Sequence, residues 1–254
     1  MLAARFSIAS VCMLIARLTL QRGRPWPKGK LLVQLFALGA VGYAPQATFF
    51  FSGIKRIDIS LATVIFYTYP VMVVLASWVF LKHKPSRRMV VCLTIAVLGA
   101  ALTAGQVKTG SWSGILFMLA AAGWYTGYIV LSSRVVHLAG ALTSLTVVMF
   151  GAAASHLTLL AVLHPALPHG ATGWAAIAGA SFFSTIIAMG FFFAGVSRIG
   201  PGEAAVLSTI EPVVSIAVGV TALNEQLNAA RVFGAVLVLV GVAVLAQFSR
   251  TDAK

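Results

Sequence analysis

One segment of this 254-residue sequence occurs twice in the same register, 142 residues apart. Phe49-Phe50-Phe51-Ser52-Gly53-Ile54-Lys55-Arg56-Ile57 returns without a gap as Phe191-Phe192-Phe193-Ala194-Gly195-Val196-Ser197-Arg198-Ile199. The register then holds at Ala62 and Ala204, Val64 and Val206, and Pro70-Val71 and Pro212-Val213. Both copies lie inside long apolar stretches. Duplication within a chain of apolar spans dictates two related helical halves, and in carriers built this way the binding groups lie between the halves near the bilayer midplane.

Composition requires the membrane. Hydrophobic residues make up 60% of the chain, charged residues 9%, and the mean hydropathy is +0.98; a water-soluble domain of this size could not bury so much apolar surface in one core. The apolar stretches are roughly 20 residues long, enough to cross about 30 Å of hydrocarbon as helices. Nine spans are expected, at about 3 to 20, 31 to 53, 58 to 80, 88 to 105, 111 to 131, 142 to 163, 172 to 195, 202 to 223 and 231 to 248. The fold class is therefore an all-α polytopic bundle. Its first repeat covers residues 1–108 with four helices, and its second covers 109–254 with five.

A net charge of +13 would suit nucleic acid, but the cations sit mainly in short loops between spans, so topology explains them better. One side collects thirteen: Arg17, Arg22, Arg24, Lys28, Lys30, Lys82, Lys84, Arg87, Arg88, Arg134, Arg198, Arg250 and Lys254. The other collects Arg5, Lys55, Arg56, Lys108 and Arg231. The richer side is expected to be cytoplasmic, which places the carboxyl terminus inside. Span two then runs outward and its duplicate, span seven, runs inward, so the repeat is inverted. The expected location is the plasma membrane, as a multi-pass protein of a bacterial inner membrane.

Small residues recur in the spans: Gly39 with Gly42, Gly123-x-x-x-Gly127, Gly151 to Ser155, Ala178 to Ser181, and Gly234 with Gly241. In lipid they let helix backbones approach closely. The first span is anomalous. Only eleven residues separate Arg5 from Arg17, a reach of about 16 Å. Arg5 must snorkel outward, sit within the bundle, or belong to a helix that begins upstream.

Glu211-Pro212-Val213-Val214, followed by Leu223-Asn224-Glu225-Gln226-Leu227, Gly234 and Gly241, resembles the ending of a repeat in the EamA-type transporters of the drug/metabolite transporter superfamily. Tyr69-Pro70-Val71, Leu81-Lys82-His83-Lys84 and Gly99 form a weaker first copy, with His83 where the second has Glu225. The resemblance covers nearly the whole chain. It implies two inverted five-helix repeats around a central cavity, with the opening helix of the first repeat missing here. It also implies export of small organic metabolites or drugs by alternating access. A non-transporting assembly partner and a channel-like facilitator are the alternatives.

Glu211 is the leading site candidate, about nine residues (roughly 13 Å) along its span and so near the midplane. Ionised there it costs on the order of 3 kcal/mol, so it is protonated and packed, paired, or facing a wet cavity as a proton-linked group. Pro212 and Pro70 lack amide hydrogens and are expected to break their helices, freeing the carbonyls of Ser208 and Phe66. Ser208, Glu211 and Ser215 share one helical face, opposite Phe66, Tyr69 and Val73 in the other half. Tyr43, Gln46, Trp124, Tyr125, Tyr128, Ser184 and Thr185 could complete the lining, although each aromatic reads first as packing or as an interfacial anchor. Glu203 after Gly200-Pro201-Gly202 and Asp58 before Ile59 read as helix caps, and His156 reads as a packing histidine.

Enzyme chemistry is absent from the sequence. There is no His-Glu-x-x-His, no Gly-x-Ser-x-Gly and no phosphate-cradling loop, and Cys12 and Cys92 lack metal spacing. No cofactor or metal is expected. The expected partners are a small-molecule substrate, the bilayer and a proton.

Overall fold

The computed structural model describes residues 1–103, 111–164, 170–214, 217 and 229–251. Regular structure among them is helical throughout. Six helical stretches are long and apolar enough to cross a membrane: Leu2–Leu20, Gly29–Ile54, Leu61–Leu81, Trp112–Ala139, Ala141–Leu163 and Gly170–Ile199. Of the other three expected spans, Arg87–Thr103 has 17 residues, Ala229–Thr251 contributes the apolar run Val232–Leu245, and the span at 202–223 is described only in part.

We number the helices α1 Leu2–Leu20, α2 Gly29–Ile54, α3 Ile59–Phe66, α4 Tyr69–Leu81, α5 Arg87–Thr103, α6 Trp112–Ala139, α7 Ala141–Leu163, α8 Gly170–Ile199, α9 Pro201–Leu207 and α10 Ala229–Thr251. Two carry a stretch of wider π-helix, Leu38–Tyr43 in α2 and Ser181–Ile187 in α8. The 142-residue register pairs Gly39 with Ser181 and Tyr43 with Thr185, so the same irregularity precedes both copies of the duplicated segment at matching positions. Such single-turn widenings concentrate at functional sites.

The chain divides into two compact units, each drawn from two separate stretches of sequence. The first consists of Met1–Ala47 and Leu131–Arg198. Here α7 packs on α1 and on the π-helical stretch of α2, while α1 packs on the π-helical stretch of α8. Small residues set these crossings. A Cβ on Gly39 would collide with the Val148 carbonyl, and one on Gly151 with the Phe36 carbonyl. Backbones this close leave carbonyls available to hydroxyls on the facing helix: Ser155 donates to Ala40 O at 2.8 Å and Thr146 to Met13 O at 3.3 Å. Such contacts take the place of the hydrophobic driving force that lipid cannot supply.

Arg17, expected on a basic cytoplasmic loop, is 2% exposed. Its guanidinium donates to Thr143 Oγ1 at 2.8 Å, Gln21 O at 2.7 Å and Arg24 O at 2.8 Å, and lies 5.0 Å from the Trp26 ring centroid. It thus ties the carboxyl end of α1 to the loop behind it and to α7, with the carbonyl ends of the helix favouring its charge.

The second unit consists of Thr48–Val130 and Ile199–Lys254. Its main contact is α5 against α10, where a Cβ on Gly99 would lie 2.7 Å from Gly234 O and one on Gly234 2.6 Å from Gly99 O. Val74, Met89, Cys92, Leu93, Val206 and Leu245 form its core, and Ile57, Ala62 and Met118 a second cluster. Gly123 and Gly127 depart from expectation. Nothing among the described residues lies within 4 Å of a Cβ added at either, so neither glycine marks a close crossing.

Candidate functional site

The apolar span from Ile59 to Leu81 is interrupted at Tyr67–Thr68, where α3 ends and α4 begins. Pro70 stands in the first turn of α4, a position where the missing amide has no intrahelical partner to lose. Upstream the chain tightens: the Thr68 amide and the Thr68 hydroxyl both donate to Ile65 O, at 3.2 and 2.7 Å. The matching span behaves likewise. Helix α9 starts at the Gly200 cap, with φ +89° and the Glu203 carboxylate folded back towards it. It then gives way to a 3₁₀ turn at Ser208–Ile210 before Glu211-Pro212.

This tightening corrects one expectation. The Ser208 carbonyl is not left free by Pro212, because the Glu211 amide donates to it across the 3₁₀ turn. A 3₁₀ bond reaches one residue less than an α-helical one and so satisfies the acceptor that proline cannot.

The breaks bring four side chains of the second unit together. The Tyr69 hydroxyl is hydrogen-bonded to Ser208 Oγ, and Ser208 Oγ is also 2.7 Å from Ala205 O. The Tyr67 hydroxyl lies within hydrogen-bonding reach of the Glu211 carboxyl. The two tyrosine rings are 6.2 Å apart. Tyr67 and Tyr69 are 6% and 2% exposed, whereas Glu211 keeps more than a third of its surface accessible. The carboxyl group thus has a hydroxyl donor on one side and an open approach on another. Among groups of this kind, a protonatable carboxyl held by a neutral donor can take up or release a proton without breaking an ion pair.

Aromatic rings enclose the pair. Phe66 lies 5.2 Å from Tyr69 and 5.8 Å from Tyr125, Tyr125 lies 5.0 Å from Tyr69, and Tyr125 stacks on Tyr128 at 5.9 Å. Trp124 is 42% exposed, with its ring edge on Phe49. A polar wall facing an aromatic one is therefore not the arrangement found, since Tyr69 and Ser208 bond each other directly and Val73 is fully buried.

The remaining candidates lie elsewhere. Tyr43 and Gln46 belong to the first unit, both 7% exposed, with Tyr43 edge-on to Phe6 at 5.4 Å. His156 lies 5.0 Å from the same Phe6 ring, with Nδ1 3.0 Å from Ala152 O one turn back, the contacts of a packing histidine. Thr185 is fully buried and Ser184 exposed. Ser215 and Glu225 lie outside the described residues.

Sequence reasoning missed Tyr67. Residues two apart point to opposite sides of a continuous helix, so helical periodicity assigns Tyr67 away from Tyr69 and Glu211. Only the break between them turns both rings to one place. The available signal was chemical: a tyrosine in an apolar run needs a partner for its hydroxyl.

Comparison with known proteins bears on the family and the fold. The sequence model described as the EamA-like transporter family matches residues 1–105 and 112–247. An uncharacterized transporter of Bacillus subtilis (strain 168), YyaM, is 26% identical over 250 residues, spanning 94% of this chain and 81% of the relative. One solved crystal structure shares the fold with a TM-score of 0.81 at 22% identity, covering 99% of this chain and 88% of its own.

Proposed function

The chain belongs to the EamA-like transporter family, and on that premise we propose that it is a carrier of small organic metabolites or drugs, working outward by alternating access of two inverted repeats. Residues 1–108 and 109–254 are the two repeats in this reading, with nine membrane spans and a cytoplasmic carboxyl terminus. Its support is the duplicated register of the sequence and the basic loops. Export rests on the family resemblance alone.

The observation that carries the mechanism is the Glu211 carboxyl beside the Tyr67 hydroxyl at a pair of broken helices. In this reading Glu211 binds the coupling proton. Tyr69 and Ser208, with the rings of Phe66, Tyr125 and Tyr128, supply an apolar surface with a few fixed hydroxyls, a composition suited to small organic ligands. Proton arrival at Glu211 changes the charge of the site, and with it the relative stability of the two access states.

Substrate flux in proteoliposomes across an imposed pH gradient tests this. Glu211→Gln keeps the shape and most hydrogen bonding while removing the titratable proton, so the expected result is normal protein yield with flux that no longer follows the gradient. Unchanged gradient dependence in Glu211→Gln would assign the carboxyl to packing and defeat the coupling role.

A further inference from the structure

Arg5 is a cation deep in the first unit. Its Nε donates to Thr185 Oγ1 at 2.8 Å, and Ser181 Oγ, one turn earlier on α8, donates to the Arg5 carbonyl oxygen at 3.1 Å. Thr185 lies fifteen residues after Gly170 and fourteen before Ile199 in the 30-residue helix α8, so about 20 Å of helix extends on either side of it. The guanidinium therefore sits at the depth of the middle of a spanning helix, well away from headgroups. Arg5 therefore turns into its bundle.

An arginine keeps its charge everywhere in a protein, and at such depth that charge needs a counterpart. None is built in. The chain has five acidic residues, Asp58, Glu203, Glu211, Glu225 and Asp252, and none falls in Met1–Ala47 or Leu131–Arg198, the segments of this unit. Among the described residues the side chain hydrogen-bonds neutral Thr185 and lies 5.7 Å from the Phe6 ring centroid. Among the described residues no acceptor reaches its two terminal nitrogens. Arg5 is half-buried, so the open end of its fork is approachable. Its anchor is rigid, because Thr185 is fully buried in the π-helical stretch.

We propose that Arg5 forms, within the first unit, a site for the negative charge of small organic anions bearing a carboxylate or phosphate group, and that this carrier moves such anions. The proposal rests on the carrier reading above and deepens it. A guanidinium held through Nε presents its remaining N–H groups as a planar fork, the geometry that binds two oxygens of one oxyanion at once. Without ligand the charge has no acidic partner within its own unit; an arriving anion supplies a counter-charge and crosses the bilayer interior neutralised. Lipid phosphate is excluded as the occupant by depth.

The test uses charge-matched pairs with the full chain: phenylacetate against phenylacetamide, and glycerol 3-phosphate against glycerol. Thermal unfolding in detergent reads binding, and flux in proteoliposomes reads transport. The expected result is stabilisation by at least one anion and by neither neutral analogue, abolished in Arg5→Gln. Arg5→Lys should retain it with roughly tenfold weaker affinity, since the bidentate fork is lost while the charge remains. Which anion stabilises distinguishes carboxylate from phosphate recognition. If Arg5→Gln yields no monodisperse protein, Arg5→Lys and Thr185→Val decide, and unchanged anion affinity in both overturns the proposal. No difference within either pair for the wild type overturns it as well. A wild type that binds the anions but carries none of them refutes the carrier reading and leaves the role of Arg5 intact. One that carries substrates without preference for anions does the reverse.

Discussion

At the residue scale, the chemistry of the second unit turns on hydroxyl groups placed against single partners. Tyr67 faces Glu211, and Tyr69 faces Ser208. The two pairs have separable consequences, because one involves a titratable group and the other does not. Tyr67→Phe removes the donor to the carboxyl group, a loss of about 1–3 kcal/mol between its two protonation states. The expected outcome is a displaced pH profile of flux with the substrate affinity kept. Tyr69→Phe is expected to leave the profile in place and to weaken substrate binding by about 1 kcal/mol, the loss of one neutral hydrogen bond. Initial rates at several pH values and substrate concentrations check both. Identical profiles for Tyr67→Phe and wild type would remove Tyr67 from the proton site. Glu211 and Tyr69 were legible in the sequence as a midplane carboxylate and an aromatic beside a proline. Tyr67 was not, because its side of the helix depends on where the helix breaks.

At the scale of elements, glycine spacing alone did not say which helices cross. Gly39 and Gly151 lie against the backbone carbonyls of Val148 and Phe36, whereas a Cβ added at either glycine of Gly123-x-x-x-Gly127, the best match to a small-residue motif, meets none of the described residues within 4 Å. The motif permits close approach, but the partner helix must be there to use it. This yields a differential prediction. Gly39→Ala or Gly151→Ala forces backbone apart from backbone and is expected to cost ~3 kcal/mol, the upper end of overpacking penalties. Gly123→Ala and Gly127→Ala, which meet open space, are expected within about 0.5 kcal/mol of wild type. Thermal unfolding in detergent distinguishes the two sets, and equal losses in both would refute the crossings described for the first unit. The π-helical stretches have the same lesson. Their positions ahead of the duplicated segment follow the register, but the extra residue in the turn is a response to packing, with α7 pressed against the first and α1 against the second.

At the scale of the molecule, the distribution of eighteen cations is the basis of the proposed orientation. A reporter fused after Lys254 is expected in the cytoplasm, and so is a tag in the loop around residues 21–30. Signals on opposite sides would require a different number of spans between them, and both outside would invert the topology. The sequence by itself determined the membrane class, the helical fold, the duplication and the family, because each follows from quantities that accumulate along the chain: apolar length, loop charge and repeated register. What only the tertiary structure decided is the partner of each polar group. The sequence treated Arg5 as an anomaly and Arg17 as a loop cation, and packing places one against Thr185 and buries the other against Thr143 and Trp26. It also turned Tyr67 toward Glu211 and closed the Ser208 carbonyl that proline was expected to free. The physical reason is shared. In a low-dielectric bundle a polar side chain takes the nearest donor or acceptor in space, and that neighbour lies as much as 180 residues away along the chain, as Thr185 does from Arg5.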